Sequence, residues 1–229
     1  VAMRHGLYAT FMPKPVAGLN GSGMHVHQSL FRGNDNAFFS DNEDHLSSDA
    51  KHFVAGLMHH APAITSVTNQ WVNSYKRLVA GYEAPIYISW AKVNRSDLIR
   101  IPSYKEGRQE SVRVEYRAPD PSCNPYLTFS VMLAAGLDGI KNKLPIPDPI
   151  NKDVNEMTDE ERQERGIGVL PSTLWEAILI TEQSELVKEA LGAHVFESFI
   201  QNKKIEWNQY NYYHCNPYND DRRNCTYYI

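Results

Sequence analysis

Two imidazoles and a hydroxyl stand at alternating positions in the run Asn20-Gly21-Ser22-Gly23-Met24-His25-Val26-His27-Gln28-Ser29. An extended strand turns successive side chains to opposite faces, so His25, His27 and Ser29 share one face. Met24, Val26 and Leu30 share the other and are available to a core. Two glycines loosen a turn just before this segment, and the pattern fits a site for a metal ion or an anion. Val112-Arg113-Val114-Glu115-Tyr116-Arg117 repeats it, with Arg113, Glu115 and Arg117 on one face and Val112, Val114 and Tyr116 behind. Taken alone, that charged face also fits the solvated side of an antiparallel strand with cross-strand charge pairs.

Further arginines shift the weight toward function: Arg77 before a Gly81-Tyr82-Glu83-Ala84-Pro85 loop, and Arg95 and Arg100 in the segment that follows. A guanidinium binds carboxylate or phosphate in a bidentate way and stays charged. Arginines mixed with histidines and glutamates are the groups phosphoryl transfer uses, together with a divalent metal, around a spreading negative charge. The sequence contains no Walker A lysine loop and no kinase glycine loop, so such a site would be built on a sheet surface.

The elements that must carry these residues are legible in outline. A helix is predicted from Ser47 or Ser48, with Phe53, Leu57 and Met58 inward and a break at Pro62. Extended pieces follow at 85–90, 98–102 and 111–117. Asn124-Pro125 starts a second helix, apolar over much of its surface and therefore expected to be buried, which ends near Lys141 and Lys143. Thr158 to Glu161 and Thr173 to Glu176 read as capping boxes, and Ser184 as the cap of a helix closed by Gly192. From Tyr210 onward, six of the 13 tyrosines crowd a polar stretch without a clean period, which reads as irregular. Strands first and helices later is the α+β order.

Composition is that of an ordinary globular chain: 229 residues, 42% hydrophobic and 22% charged, with a net charge of -4. That charge gives no reason to expect nucleic acid or an anionic membrane as partner, and no apolar run approaches the roughly 18 residues of a membrane helix. Cys123, Cys215 and Cys225 are odd in number and lack metal-ligand spacing. They read as free thiols in a reducing, cytoplasmic compartment.

The Asn20–Ser29 run resembles the ATP- and metal-binding signature of type I glutamine synthetases. The resemblance continues in order through Phe11-Met12-Pro13-Lys14-Pro15, Tyr75-Lys76-Arg77-Leu78-Val79, Gly81-Tyr82-Glu83-Ala84-Pro85 and Asn94-Arg95-Ser96. It goes on through Arg117-Ala118-Pro119-Asp120-Pro121 and Asn124-Pro125-Tyr126-Leu127, covering roughly residues 7 to 205. It implies a catalytic domain over 1–207, with a curved antiparallel sheet forming a funnel and helices outside, and an atypical Tyr/Asn-rich tail over 208–229. The implied reaction joins ammonia to glutamate with ATP, through γ-glutamyl phosphate. His25 and Glu115 resemble ligands of the metal, Mg²⁺ or Mn²⁺, that engages the phosphates. Asn20 and Gly21 resemble the loop that holds the amino group of glutamate. His27 would touch substrate or a metal-bound water, and Arg77 and Arg117 the carboxylates of glutamate. Ser29, Arg95, Arg100 and Arg113 would face ATP, Arg95 at the transferring group. Glu83 resembles the flap glutamate that takes a proton from ammonium, with Gly81 as hinge.

The resemblance also implies a homo-oligomer of hexameric rings, paired as a dodecamer in the family. Three departures accompany it. The family's other metal ligands are glutamates upstream of Val1, so a truncated catalytic portion with an incomplete metal site is expected. The stretch Asn151 to Glu156 carries no tyrosine, so control by adenylylation is not expected. The tail is unlike the family's apolar strap. A γ-glutamyl ligase using another amine, or a non-catalytic fragment keeping only scaffold and nucleotide binding, are the rival readings.

Overall fold

The computed structural model describes residues 1–92, 94 and 96–215. Its first half supplies short strands around two helices: β1 (Val26–Gln28), β2 (Phe31–Arg32), β3 (Asp35–Asn36), α1 (Ser48–Thr68) and α2 (Ser74–Arg77), then β4 (Tyr87–Ile88), β5 (Trp90–Ala91), β6 (Ile99–Arg100) and β7 (Val114–Tyr116). The second half is mostly helical: α3 (Pro125–Asn142), α4 (Asp159–Glu164), β8 (Gly168–Val169), α5 (Leu174–Glu182), α6 (Glu185–Leu191) and α7 (Ala193–Cys215). This is the α+β arrangement, strands before helices.

One open four-stranded sheet, in the order β1-β7-β6-β5, carries the chemistry. β1·β7 and β6·β7 are antiparallel, while β5·β6 is parallel, so the sheet is mixed. Its register places His27 opposite Glu115 and Glu115 opposite Arg100. Residues directly opposite across a ladder share a face, so imidazole, carboxylate and guanidinium lie side by side. Behind them Val114, Tyr116 and Ile99 are fully buried in the main core.

Helix α1 is the core's axis. The Ser47 hydroxyl accepts from the Ala50 N–H at 3.1 Å and caps its start. The expected break at Pro62 does not occur, and the helix runs on to Thr68. Proline already holds the helical φ, and the turns beyond it, from Ile64 to Thr68, are buried, so packing carries the helix past one missing N–H. Helix α3 starts as expected, the Asn124 side chain accepting from the N–H groups of Tyr126 and Leu127, and Lys143 closes it in the left-handed region at φ 51°. It is not buried all round: Val131, Met132 and Ala135 face the core, whereas Tyr126, Phe129, Leu133 and Leu137 are exposed.

The Thr158–Glu161 capping box forms in full. The second expected box forms by half: Thr173 accepts from the Glu176 N–H, but the Glu176 carboxylate accepts from the Ser172 N–H and hydroxyl instead. Ser184 caps α6, and Gly192 follows it at φ 75°. The stretch from Tyr210 to Cys215, expected to be irregular, is helical because α7 runs through it. Trp207 stacks near Trp175 and against Tyr210 one turn on, which carries the helix forward. Residues 216–229 of the tail lie outside the described residues.

The two long helices meet backbone to backbone. A Cβ on Gly56 would press on the Ala135 carbonyl oxygen and stand 2.8 Å from Gly139 Cα, and a Cβ on Gly136 would run into the Phe53 ring. Gly56→Ala should therefore lower stability by about 1–3 kcal/mol, because α1 and α3 must separate to admit a methyl group. Denaturant unfolding of the variant against the parent checks this; equal midpoints would show that the helices have slack.

Candidate active site

A cavity of about 150 Å³ opens beside the polar face of the sheet. It is lined by Asn20, Gly21, Gly23, His25, Arg77, Tyr82, Glu83, Ala84 and Arg117. Six of the residues singled out in the sequence thus meet in one place, drawn from four separated segments.

The two glycines before β1 act differently from the expectation. Neither has a positive φ. Both are sites of close approach: a Cβ on Gly23 would lie 2.7 Å from Arg77 Nη2 and 2.9 Å from His25 Nε2, and one on Gly21 would meet the Pro13 carbonyl. The missing side chains let the loop lie directly on Arg77.

Glu115 is the centre of the polar face and is only 2% exposed. Its Oε1 accepts from His25 Nδ1 at 3.1 Å and Arg117 Nη1 at 3.3 Å, and its Oε2 from Arg100 Nε at 2.5 Å. Burial raises its pKa, but the Arg100 hydrogen bond and the charges of Arg100 and Arg117 outweigh that and hold the carboxyl below its usual range. The reading of this strand face as solvated is overturned, since Arg117 is buried too. Burial, with Arg117 beside it, also lowers the pKa of His25 against the pull of Glu115, so the neutral ring is favoured. The two atoms stand 3.1 Å apart, and in a neutral ring Nδ1 either donates to the carboxylate or turns its lone pair to a cation that the carboxylate shares.

A carboxylate offers four acceptor positions and three are taken, so Glu115 retains one. His25 and Glu115 therefore fit a divalent cation as two donors, one nitrogen and one oxygen, with Mn²⁺ tolerating nitrogen better than Mg²⁺. Among the described residues no group of three His, Cys, Asp or Glu forms a fuller set.

The arginines divide. Arg77, buried, donates from Nη1 to the Ala118 carbonyl at 2.6 Å and from Nη2 to the Arg117 carbonyl at 3.2 Å. Burial lowers its pKa to about 10, so it stays charged at neutral pH. Each Nη keeps a second N–H for the cavity. Arg117 Nε is buried without a partner in the structure. Burial, with Arg100 beside it, lowers the pKa of Arg117 against the pull of Glu115 and, at the cavity, of Glu83. Arg113 donates from Nε to His27 Nδ1 at 3.1 Å, beyond the cavity on the open side of β1. Ser29 is half-buried just past β1. Arg95 lies outside the described residues. Tyr82 and Ala84 also line the cavity and had no role expected from sequence; only the folded approach of the 81–85 loop reveals them.

Asp97 lies behind the wall, fully buried, with neither oxygen at hydrogen-bonding geometry to a partner. Burial pushes its pKa up to about 6; the Ser89 hydroxyl and Arg117 moderate the rise, and Asp153 adds to it. The folded chain therefore holds a proton that the unfolded chain releases nearer pH 4, and stability falls as pH rises between those values. Asp97→Asn, isosteric with the protonated acid, should raise stability at pH 7.5 by as much as about 3 kcal/mol. The gain should vanish near pH 4. Urea unfolding at both pH values measures it, and a gain equal at the two would refute the buried-charge account.

The family model described as "Glutamine synthetase, catalytic domain" matches residues 1–219. The chain is 51% identical to glutamine synthetase of Thermotoga maritima over 214 residues, covering 93% of this chain and 48% of that protein. It is 52% identical over 211 residues to glutamine synthetase of Staphylococcus aureus strain MW2, covering 92% and 47%. Two solved structures, described as "GmaS/ADP complex-Conformation 1" and "Apo GmaS without ligand", superpose with TM-scores of 0.80 and 0.79 at 38% and 36% identity. They cover 91% and 98% of this chain, and 47% and 49% of theirs. The chain spans about half the length of the curated relatives it matches. With that match along nearly its whole length, the chain belongs to the glutamine synthetase family.

Proposed function

We propose that this chain forms the glutamate- and phosphate-facing part of an ATP-dependent ligase that joins ammonia to glutamate. The observation that carries the reading is the shared lining of one cavity by Arg77, Arg117, His25, the Asn20-Gly21 loop and Glu83. The γ-carboxylate of glutamate attacks the terminal phosphorus of ATP and ADP leaves. Ammonia then attacks the acyl carbon, and phosphate leaves. Arg77 and Arg117 hold the carboxylates of glutamate, and Asn20 and Gly21 its amino group. Glu83 accepts the proton that ammonium gives up, and its loop shields the acyl phosphate from water.

At about 150 Å³ the cavity suits an amino acid better than a nucleotide, since pockets for larger ligands run to about 300–1,000 Å³. ATP is therefore assigned to the polar face of the sheet outside the cavity, where His27, Ser29 and Arg113 stand by β1 and Arg100 on β6; Arg95, outside the described residues, keeps its expected role at the transferring group. A solved relative described as an ADP complex supports nucleotide binding as such. His25 and Glu115 would hold Mg²⁺ or Mn²⁺, which supplies charge neutralisation on the phosphates. Family membership supports a homo-oligomer of hexameric rings, a cytoplasmic location, and the 1–207 catalytic part with a distinct tail as further parts of this reading. No helix among the described residues is long and apolar enough to cross a membrane.

Calorimetric titration with Mn²⁺–ADP should show His25→Ala and Glu115→Ala each weakening binding roughly tenfold or more. Unchanged affinity in both would remove the ligand assignment. Glutamate-dependent ADP release, followed with ammonium and with a primary alkylamine, tests the amine, and ammonium should be preferred. Preference for the alkylamine would indicate a different γ-glutamyl ligase. Nucleotide binding with no turnover on either amine would leave a scaffold role.

A further inference from the structure

Lys14 sits between two prolines and is only 7% exposed. A lysine so enclosed needs compensation for the water it has lost. Among the described residues no carboxylate forms an ion pair with it. Its Nζ instead donates to the Leu19 carbonyl and stands 3.6 Å from the centroid of the Tyr82 ring. Its backbone is fixed from behind: the N–H donates to Asn73 Oδ1 at 2.7 Å, and the carbonyl accepts from Asn73 Nδ2 at 3.1 Å.

The three attachments are placed tellingly. Leu19 directly precedes the Asn20-Gly21 loop, and Tyr82 directly precedes Glu83. Asn73 directly precedes α2, which ends at Arg77. One residue therefore touches, or is anchored on, every segment that brings a residue to the cavity except the one carrying Arg117 just after β7.

We propose that Lys14 is a positioning residue, a latch whose ammonium clamps the 81–85 flap onto the Asn20 loop and so holds Glu83 at the mouth of the cavity. This rests on reading the cavity as the amino-acid site. An apolar side chain of the same length could fill the space but could not donate to the Leu19 carbonyl, and it would lose the attraction of the Tyr82 ring face. That attraction strengthens where the cation is desolvated. Gly81, at φ 84° with open space around it, is where the flap can pivot when the contact breaks. Lifting the flap returns the ammonium to water, which limits the free energy holding the latch shut, so the contact fixes the flap without freezing it.

Cleavage of the full chain after Glu83 by a glutamate-specific endoproteinase reports the open flap, with cleavage after Glu106 in the exposed 105–107 loop as internal control. Lys14→Met should speed cleavage at Glu83 about tenfold, the factor expected for loss of the cation–π contact that ties down the flap. Tyr82→Leu, which leaves the backbone bonds of Lys14 intact, should act in the same direction. Lys14→Arg and Tyr82→Phe, which keep the cation and the ring face, should stay near the parent rate. Unchanged cleavage at Glu83 in both loosening variants, an equal rise at Glu106, or failure of Lys14→Arg to rescue would overturn the latch. The assay uses neither glutamate nor ATP. A latch confirmed in a chain that binds no glutamate would sink the ligase reading alone.

Discussion

Everything at the site hangs on one buried carboxylate. Glu115 is surrounded by Arg100, Arg117 and His25, and leaving any of these out would strand charge in a region closed to water. Such a group is a weak source of net stability, because desolvation consumes much of the attraction. Its value is geometric. By holding His25 Nδ1 at 3.1 Å from its Oε1 it keeps both atoms within reach of a single cation, and by taking hydrogens from two arginines it directs their remaining donors. The register of β1 and β6 against β7 is what brings the partners of Glu115 to one face, and a slip by one residue would turn Glu115 into the core.

That register is held by the apolar side of the same strands. Val114 and Tyr116 are fully buried, and the core they join is organised by α1 against α3 through glycines that let the backbones touch. Small residues recur for the same reason at the site itself. Gly21 and Gly23 bring the loop onto Arg77 and Pro13 without any special backbone angle. The fold positions charged groups by removing side chains around them as much as by adding partners.

Local pattern made part of this legible in the sequence. Period-two alternation correctly separated Arg113, Glu115 and Arg117 from Val112, Val114 and Tyr116, and the Ser47, Asn124, Thr158 and Ser184 caps follow from bonds made within a few residues. What failed depended on contacts distant in sequence. Pro62 looked like a break because the packing that carries α1 past it comes from other elements. Helix α3 looked buried because composition does not say which apolar side chains find a partner. The hydrogen bonds of Arg77 to the carbonyls of residues 117 and 118 were beyond reach, being set by how α2 docks on the end of β7. Lys14, 59 residues from Asn73, was visible as a motif and silent as to role.

The electrostatics of the finished wall then narrow what it can bind. Arg77, Arg100, Arg113 and Arg117 face a pair of glutamates, Glu83 and Glu115, and His25 is held neutral, so positive charge is in excess. A protein gains no stability from concentrating like charges in a half-closed place. Burial lowers the pKa of Arg77 to about 10, Asp120 opposing the shift and Arg117 adding to it. Further burial cannot relieve the like charges. An anion can, and the spare N–H groups of Arg77 and the unpartnered Nε of Arg117 are the donors left to receive one. A cation set between His25 and Glu115 would add further positive charge and so raise the demand for anionic ligands. Donors left open in this way suit anionic groups such as carboxylate or phosphate, which agrees with the proposed reading of the cavity as the glutamate side of an ATP-dependent ligase.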